Sequence, residues 1–259
     1  MNCKDFFKSV DLVGEVLKVN NKRFRLVDHK AKVFEGKKVN IRNECGVKVY
    51  LEEDSMDSVA KGGLEVNATL GTSNNIVVIG RNAKITGKIL FNGSENVCFI
   101  HGDTPYPIGS SVDFRYNSKG SIIEIKEKFT SNGLTCVLGS NTEIVIGKDV
   151  MVAHGVSIYT TDMHGIFDVE DKKILNLPKS VTVSDHVWLG KDCMITKGVC
   201  IGTGSIVGAK ALVSKNVPEF SISGGVPNTT IRKNISWTRP QNPTIEQIYD
   251  VYNEIKSDA

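Results

Sequence analysis

The chain has 259 residues, with 32 Lys+Arg against 29 Asp+Glu, 24% charged and 40% hydrophobic residues. That balance excludes a disordered chain and a bulk polyanion binder of the histone type, though not a local basic groove. No stretch approaches the ~20 apolar residues that cross a bilayer, and residues 1–7 lack the apolar run of a signal peptide. Cys3, Cys45, Cys98, Cys136, Cys193 and Cys200 sit far apart with no CxxC pair. They read as reduced thiols in a cytoplasmic protein, several of them filling the core.

In chain order, residues 1–65 carry short strand-like runs, Arg23-Phe24-Arg25-Leu26-Val27 and Lys48-Val49-Tyr50-Leu51, and are expected to form a β-rich N-terminal cap. Ile79, Ile85, Phe91 and Val97 then step by six, the first sign of coiling. Residues 103–133 read as strands interrupted at Pro105, Pro107 and Gly109. The step of six returns at Ile146, Val152 and Ile158 and again at Val183, Leu189, Ile195, Ile201, Val207 and Val213. One residue after each member of the last set stands Ser184, Gly190, Thr196, Gly202, Gly208 or Ser214, every one small. Four after it stands Val187, Cys193, Val199, Ser205, Ala211 or Val217. A period of six matches neither a helix nor simple alternation. It fits a three-sided coil whose aliphatic residues point inward and whose small residues permit the corners, stacked as a parallel β-helix over residues 66–237.

The step of six fails once, between Ile158 and Val183, where a loop over about residues 161–180 is expected to leave the solenoid. It holds Asp162, His164, Asp168, Glu170, Asp171, Lys172, Lys173 and Pro178. Loops carried on a rigid scaffold are where function concentrates. Residues 238–259 form a tail in which Ile245, Ile248, Val251, Tyr252 and Ile255 have helical spacing, with Thr244 as N-cap.

The runs Val187-Trp188-Leu189-Gly190, Ile201-Gly202-Thr203-Gly204-Ser205-Ile206-Val207-Gly208-Ala209 and Gly224-Gly225-Val226-Pro227 resemble the hexapeptide-repeat acyltransferases, whose fold is an all-β, left-handed parallel β-helix. The likeness covers roughly residues 76–237. Within that superfamily, the runs from Asp149 to Gly155, from Thr161 to His164 and from Asn234 to Trp237 look most like bacterial polysaccharide O-acetyltransferases of the polysialic acid type. The resemblance implies acetyl-CoA as donor and a sugar hydroxyl of a capsule or O-antigen glycan as acceptor. It further implies a homotrimer with sites between subunits, and no metal, nucleic acid or membrane partner. Periodicity alone points to a solenoid, not to an activity.

Acetyl transfer to a hydroxyl needs a base, an oxyanion donor and a grip on the CoA arm. The resemblance puts the base at His164, a side chain that titrates near working pH. Asp162 then orients the ring or bonds to loop backbone. His154 contacts the acceptor or is a satisfied corner histidine, and His186 reads as a turn residue. Trp188 is expected to point outward and wall the pantetheine channel, with backbone N–H groups near it meeting the oxyanion, or to pack on the loop or on a neighbouring subunit. Likeness places the donor arm on Gly190, Lys191, Ala209, Ser214, Lys215 and Arg232, with Lys215 and Arg232 on phosphates. The usual basic residue after the last coil is replaced by Thr229, and Lys233 stands close by.

Three other readings compete. A three-histidine zinc hydratase of the same fold requires a close histidine pair, which His154, His164 and His186 do not supply. A transferase acting on serine, an aminosugar or a xenobiotic shares the same repeats. A non-catalytic scaffold leaves His164 and Trp188 without purpose. Lys30, Lys32, Lys37 and Lys38 could hold an anionic glycan, or form a solvated face beside Glu52, Glu53 and Asp54.

Overall fold

A computed structural model describes residues 11–13, 16–19, 22–26, 39–42, 46–52, 59–106, 108–115 and 117–257. Cys3, His29, Cys45, Glu53, Asp54 and the lysines at 30, 32, 37 and 38 lie outside these residues. In chain order the strands are β1 (Asp11–Val13), β2 (Val16–Val19), β3 (Lys22–Leu26), β4 (Val39–Arg42), β5 (Val47–Glu52), β6 (Val59–Ala68), β7 (Asn75–Ile79) and β8 (Ile85–Phe91). Then follow β9 (Val97–Ile100), β10 (Ile108–Phe114), β11 (Ile122–Ile125), β12 (Thr130–Leu138), β13 (Glu143–Ile146), β14 (Met151–Val152), β15 (Val156–Tyr159) and β16 (Val181–Val183). The series ends with β17 (Trp188–Leu189), β18 (Met194–Ile195), β19 (Cys200–Ile201), β20 (Ile206–Val207), β21 (Leu212–Val213), β22 (Ser221–Gly224), β23 (Thr229–Lys233) and one helix, α1 (Ile245–Ser257).

The strands wind into a parallel β-helix. One face carries β5, β7, β9, β11, β13, β16 and β19 in that order. In the early coils β6, β8, β10 and β12 each run over both remaining faces. From β14 onward these faces separate into β14–β17–β20–β22 and β15–β18–β21, with β12 pairing both β14 and β15. In the late coils Thr182 lies opposite Cys200, Trp188 opposite Ile206 and Met194 opposite Leu212, three hexads per coil. Corners between these short strands fall at Asp192 and Lys210, which take φ of 58° and 57°.

The inward rhythm holds. Val183, Leu189, Ile195, Ile201, Val207 and Val213 are fully buried, and the residues four after each, from Val187 to Val217, are buried too. They line one continuous core that runs from Val47 to Val217. Because each coil buries itself only against its neighbours, a hole in one rung has nothing to refill it. Ile201→Ala is expected to lower unfolding free energy by about 2–5 kcal/mol, measured by urea denaturation. A smaller loss would place Ile201 outside the core.

The strands begin earlier than the expected boundary at residue 66. β4 pairs in parallel with β6, and β5 with β7, so these two strands already continue the two sheets. The hexad reading missed them because coils here are longer than three hexads: β7 meets β9 with Ile76 opposite Val97. Upstream of β5, the described strands β1–β3 pair antiparallel, and β3 pairs antiparallel with β5. Leu17 and Phe24 from this hairpin cluster with Tyr50, Ile76, Val78, Val97, Phe99 and Ile122, apart from the central core. Residues 108–138 form β10, β11 and β12, which complete the rungs despite the prolines before them.

α1 follows the expected spacing. Thr244 caps it reciprocally, its Oγ1 accepting from Gln247 N at 3.3 Å while its own N donates to Gln247 Oε1 at 2.9 Å. Of its apolar residues only Ile255 is fully buried. Among the described residues no helix is long and apolar enough to cross a membrane.

Candidate functional site

The extruded loop leaves after β15 and returns into β16 (residues 160–180). Its base is closed by Lys179 N donating to Thr160 O at 2.9 Å. It is not structureless: Phe167 and Ile174 form an antiparallel bridge, and Leu175 N donates to Ile166 O at 2.8 Å. Asp168 turns the tip, its Oδ1 accepting from Glu170 N and Asp171 N at 2.8 Å each. Those two N–H groups hold the exposed Asp168 carboxyl below its ordinary range.

His164 sits on the outgoing limb, exposed, with an imidazole that meets no partner among the described residues. Its backbone is pinned. Asn176, on the returning limb, donates through Nδ2 to His164 O and to Asp162 Oδ2, both at 2.8 Å, and accepts from Ile166 N through Oδ1 at 2.6 Å. Lys197, from the next coil, donates through Nζ to Asn176 O at 2.9 Å and to Asp162 Oδ2. The Lys197 ammonium, helped by the Asn176 amide, holds the Asp162 carboxyl below its ordinary range. Asp162 Oδ2 is thus engaged with Lys197 and Asn176, not with the His164 ring. Asn176 and Lys197 were invisible to sequence reading, because a loop amide and a surface lysine carry no signal until the fold brings them together.

Lys197→Met removes both tethers. It is expected to quicken hydrogen exchange across residues 161–178 and to cost under about 1 kcal/mol of global stability, as exposed pairs do. Unchanged exchange would mean that the loop holds itself.

Trp188 lies on a different face from the loop. It points outward from β17 and is 38% exposed, and its indole N–H meets no acceptor among the described residues. Its ring centroid is 6.2 Å from that of Trp237. Trp237 is buried by a clasp built from three distant segments. Its ring stacks on His186 at 4.2 Å and 10°, and its Nε1 donates to His186 O at 2.9 Å. His186, on a corner with φ of 52°, has Nδ1 2.7 Å from Asp149 Oδ2 and Nε2 2.9 Å from Trp237 O. Both ring nitrogens are thus engaged, one with a carboxylate and one with a main-chain carbonyl, which fixes the ring in place. Arg239 completes the clasp, with Nε 3.0 Å and Nη2 2.6 Å from Asp149 Oδ1 and Nη1 on Thr130 Oγ1 at 3.0 Å. Burial pushes the Asp149 carboxyl up, but the hydrogen bonds and charges of His186 and Arg239 outweigh it and leave it low. The turn reading of His186 stands, while Asp149, Trp237 and Arg239 are partners that sequence reading missed.

The other candidates spread along the prism. His154 is exposed at the corner between β14 and β15, and its carbonyl accepts from Asp192 N at 3.0 Å. Gly190 does not offer a free main chain: its N donates to Val207 O at 2.8 Å and its O accepts from Cys193 N. A Cβ there would meet Val207 O at 2.6 Å and Ala209 N at 2.7 Å, so the missing side chain serves the next coil. Lys191 and Ala209 are exposed at successive corners, and the Ala209 backbone meets no partner among the described residues. Ser214 and Lys215 are exposed, and both N–H groups donate to Oδ1 of buried Asn228, at 2.9 and 3.1 Å. Asn228 pins this turn, its Nδ2 also donating to Lys215 O at 3.1 Å. Arg232 and Lys233 are exposed on β23. Among the described residues no three His, Cys, Asp or Glu side chains are grouped to hold a metal ion.

No family model matches the chain. It is 34% identical over 128 residues to the polysialic acid O-acetyltransferase of Escherichia coli O1:K1 / APEC, a match over 47% of this chain and 42% of that protein. It is 32% identical over 126 residues to the enzyme of the same description from Neisseria meningitidis, over 49% of this chain and 57% of that protein. The chain therefore spans about half the length of the curated relatives it matches. Among solved structures it is similar to the polySia-specific acetyltransferase NeuO, with a TM-score of 0.72 and 25% identity over 87% of this chain and 99% of that one. The shared fold is the left-handed parallel β-helix.

Proposed function

We propose that this chain, whose homologues are polysialic acid O-acetyltransferases and other hexapeptide-repeat acetyltransferases, transfers acetyl from acetyl-CoA to a hydroxyl of a bacterial surface polysaccharide. The observation that carries the reading is the unpartnered imidazole of His164 on a loop fixed by Asn176 and Lys197. A base that spends no hydrogen bond within its own protomer is free to take one from an acceptor hydroxyl.

In this reading His164 draws the proton from the hydroxyl as its oxygen attacks the thioester carbonyl. The tetrahedral oxyanion collapses, the C–S bond breaks, and the imidazolium returns the proton to the departing CoA sulfur. The Trp188 indole walls the thioester end, where its free N–H and main-chain N–H groups are available to the oxyanion. Ala209, Ser214, Lys215 and Arg232 follow the donor arm, and His154 faces the acceptor. Lys191 stands beside the track.

His164 and Trp188 occupy different faces of one protomer, so the site is completed between copies. We read the assembly as a homotrimer. Support comes from the loop itself, where Met163, Ile166, Phe167, Val169, Ile174, Leu175 and Leu177 are all about half exposed or more, an apolar surface of the kind that associates. We place the reaction in the cytoplasm, consistent with free thiols at Cys98, Cys136, Cys193 and Cys200.

Release of CoA thiol, assayed with acetyl-CoA across capsule and O-antigen glycans, tests the activity, and mass measurement in solution tests the trimer. Thiol release only with serine, an aminosugar or a xenobiotic would move the acceptor class. No release with any acceptor would leave the scaffold reading.

A further inference from the structure

A hollow of about 570 Å³ lies between α1 and the end of the prism, within the ~300–1,000 Å³ of small-molecule sites. None of the residues assigned to the donor arm or to the base lines it. Phe220, Tyr252 and Ile248 line it, together with Trp237, whose ring is nearly buried, stacked on His186 with Arg239 over it. Lys256, from the last turn of α1, reaches across the opening. Its Nζ stands 5.2 Å from the Phe220 ring centroid and 5.9 Å from that of Tyr252, and no carboxylate among the described residues pairs with it. The Asn234 carboxamide in the same wall also meets no partner among the described residues.

This combination of rings with a cation and an amide that have no hydrogen-bond or ion-pair partner among the described residues favours a particular chemistry. An acyl chain would gain nothing from the cation or the amide. A polyphosphate needs more than one positive charge. A sugar ring offers C–H faces to aromatic rings and hydroxyls to an amide, and a carboxylate on that sugar pairs with a single ammonium. Trp237 forms a wall of the hollow and also lies beside Trp188, so a glycan anchored here runs toward the proposed transfer point.

We propose that the hollow binds one acidic sugar unit of the acceptor glycan, with its carboxylate on Lys256 and its ring against the exposed Tyr252. The assignment rests on the acetyl-transfer reading for its role, but not for binding itself.

The test is calorimetric titration of the full chain with a sialic acid oligomer and with its carboxyl-reduced, neutral counterpart, using wild type, Lys256→Gln and Tyr252→Ala. Acceptor and donor KM are measured beside it. Lys256→Gln is expected to weaken binding of the acidic oligomer roughly tenfold, the scale of one charge-assisted hydrogen bond. The reduced oligomer should bind wild type weaker by a similar factor and be indifferent to Lys256→Gln. Tyr252→Ala should weaken both oligomers several-fold, while the acetyl-CoA KM stays put in each variant. The proposal is overturned if wild type does not bind the acidic oligomer, if neither variant changes its affinity, or if the acetyl-CoA KM rises instead. Lys256-dependent binding without acetyl transfer to any glycan would sink the transferase reading and leave this site standing. Transfer with unaltered acceptor KM would sink this site alone.

Discussion

His164→Ala is expected to cut turnover by roughly two to four orders of magnitude, the range for removal of an acid–base group, while acetyl-CoA affinity stays near wild type. The side chain is exposed and makes no hydrogen bond among the described residues, so truncation disturbs nothing that holds the loop. The loop is held instead by backbone, Asn176 and Lys197. A fall in turnover therefore reports chemistry and not unfolding, which circular dichroism of the variant checks. Steady-state kinetics at saturating donor, with isothermal titration of CoA, separate the two quantities. Unaltered turnover would remove His164 from the mechanism, and His154 would become the residue to test next.

The second large effect concerns the clasp. His186→Ala is expected to cost on the order of 3 kcal/mol, because it empties a buried position and leaves the partly buried Asp149 with only one of its two side-chain partners, Arg239. It also removes the stacking partner of Trp237, and with it the fixed wall beside Trp188. Urea denaturation measures the loss, and Trp fluorescence should shift to the red as Trp237 meets water. The clasp has a pH signature as well. Asp149 titrates below its ordinary 3.8 in the folded chain. A depressed carboxyl stabilises the fold above its unfolded value, and the contribution is lost as pH falls through that value toward the folded one. Stability should therefore decline below about pH 4, and Asp149→Asn should flatten that part of the profile while starting from a lower plateau. A variant that keeps the full acid decline would assign it to other carboxylates.

The residues that announced the fold are those that repeat. An inward aliphatic every six positions from Val183 to Val213 leaves a trace in one dimension, because each coil solves the same packing problem in the same way. Long early coils blurred the trace, and β4 and β5 escaped it although they belong to the same sheets. Of the candidate site, the roles proposed for His164 and Trp188 were reachable only through likeness to a family. The contacts that position them were not legible at all. Lys197 lies 35 residues from Asp162, and Arg239 90 residues from Asp149. No local pattern encodes pairs at such separations. Gly190 shows how one feature serves the fold as well: a Cβ there would meet Val207 O and Ala209 N, so the next coil's backbone needs its small size.

The direction of the chain at the two ends has a further consequence. Among the described residues, one sheet finishes at its early end in the antiparallel run β1–β3, with β1 and β3 reversed relative to β5, and the other finishes at its late end in β23, which folds back on β22. Adding a second rod end to end would require all three faces to continue with one polarity. Each terminus presents a reversed strand on one face, so the repeat that builds the molecule is denied a template for unlimited fibre growth.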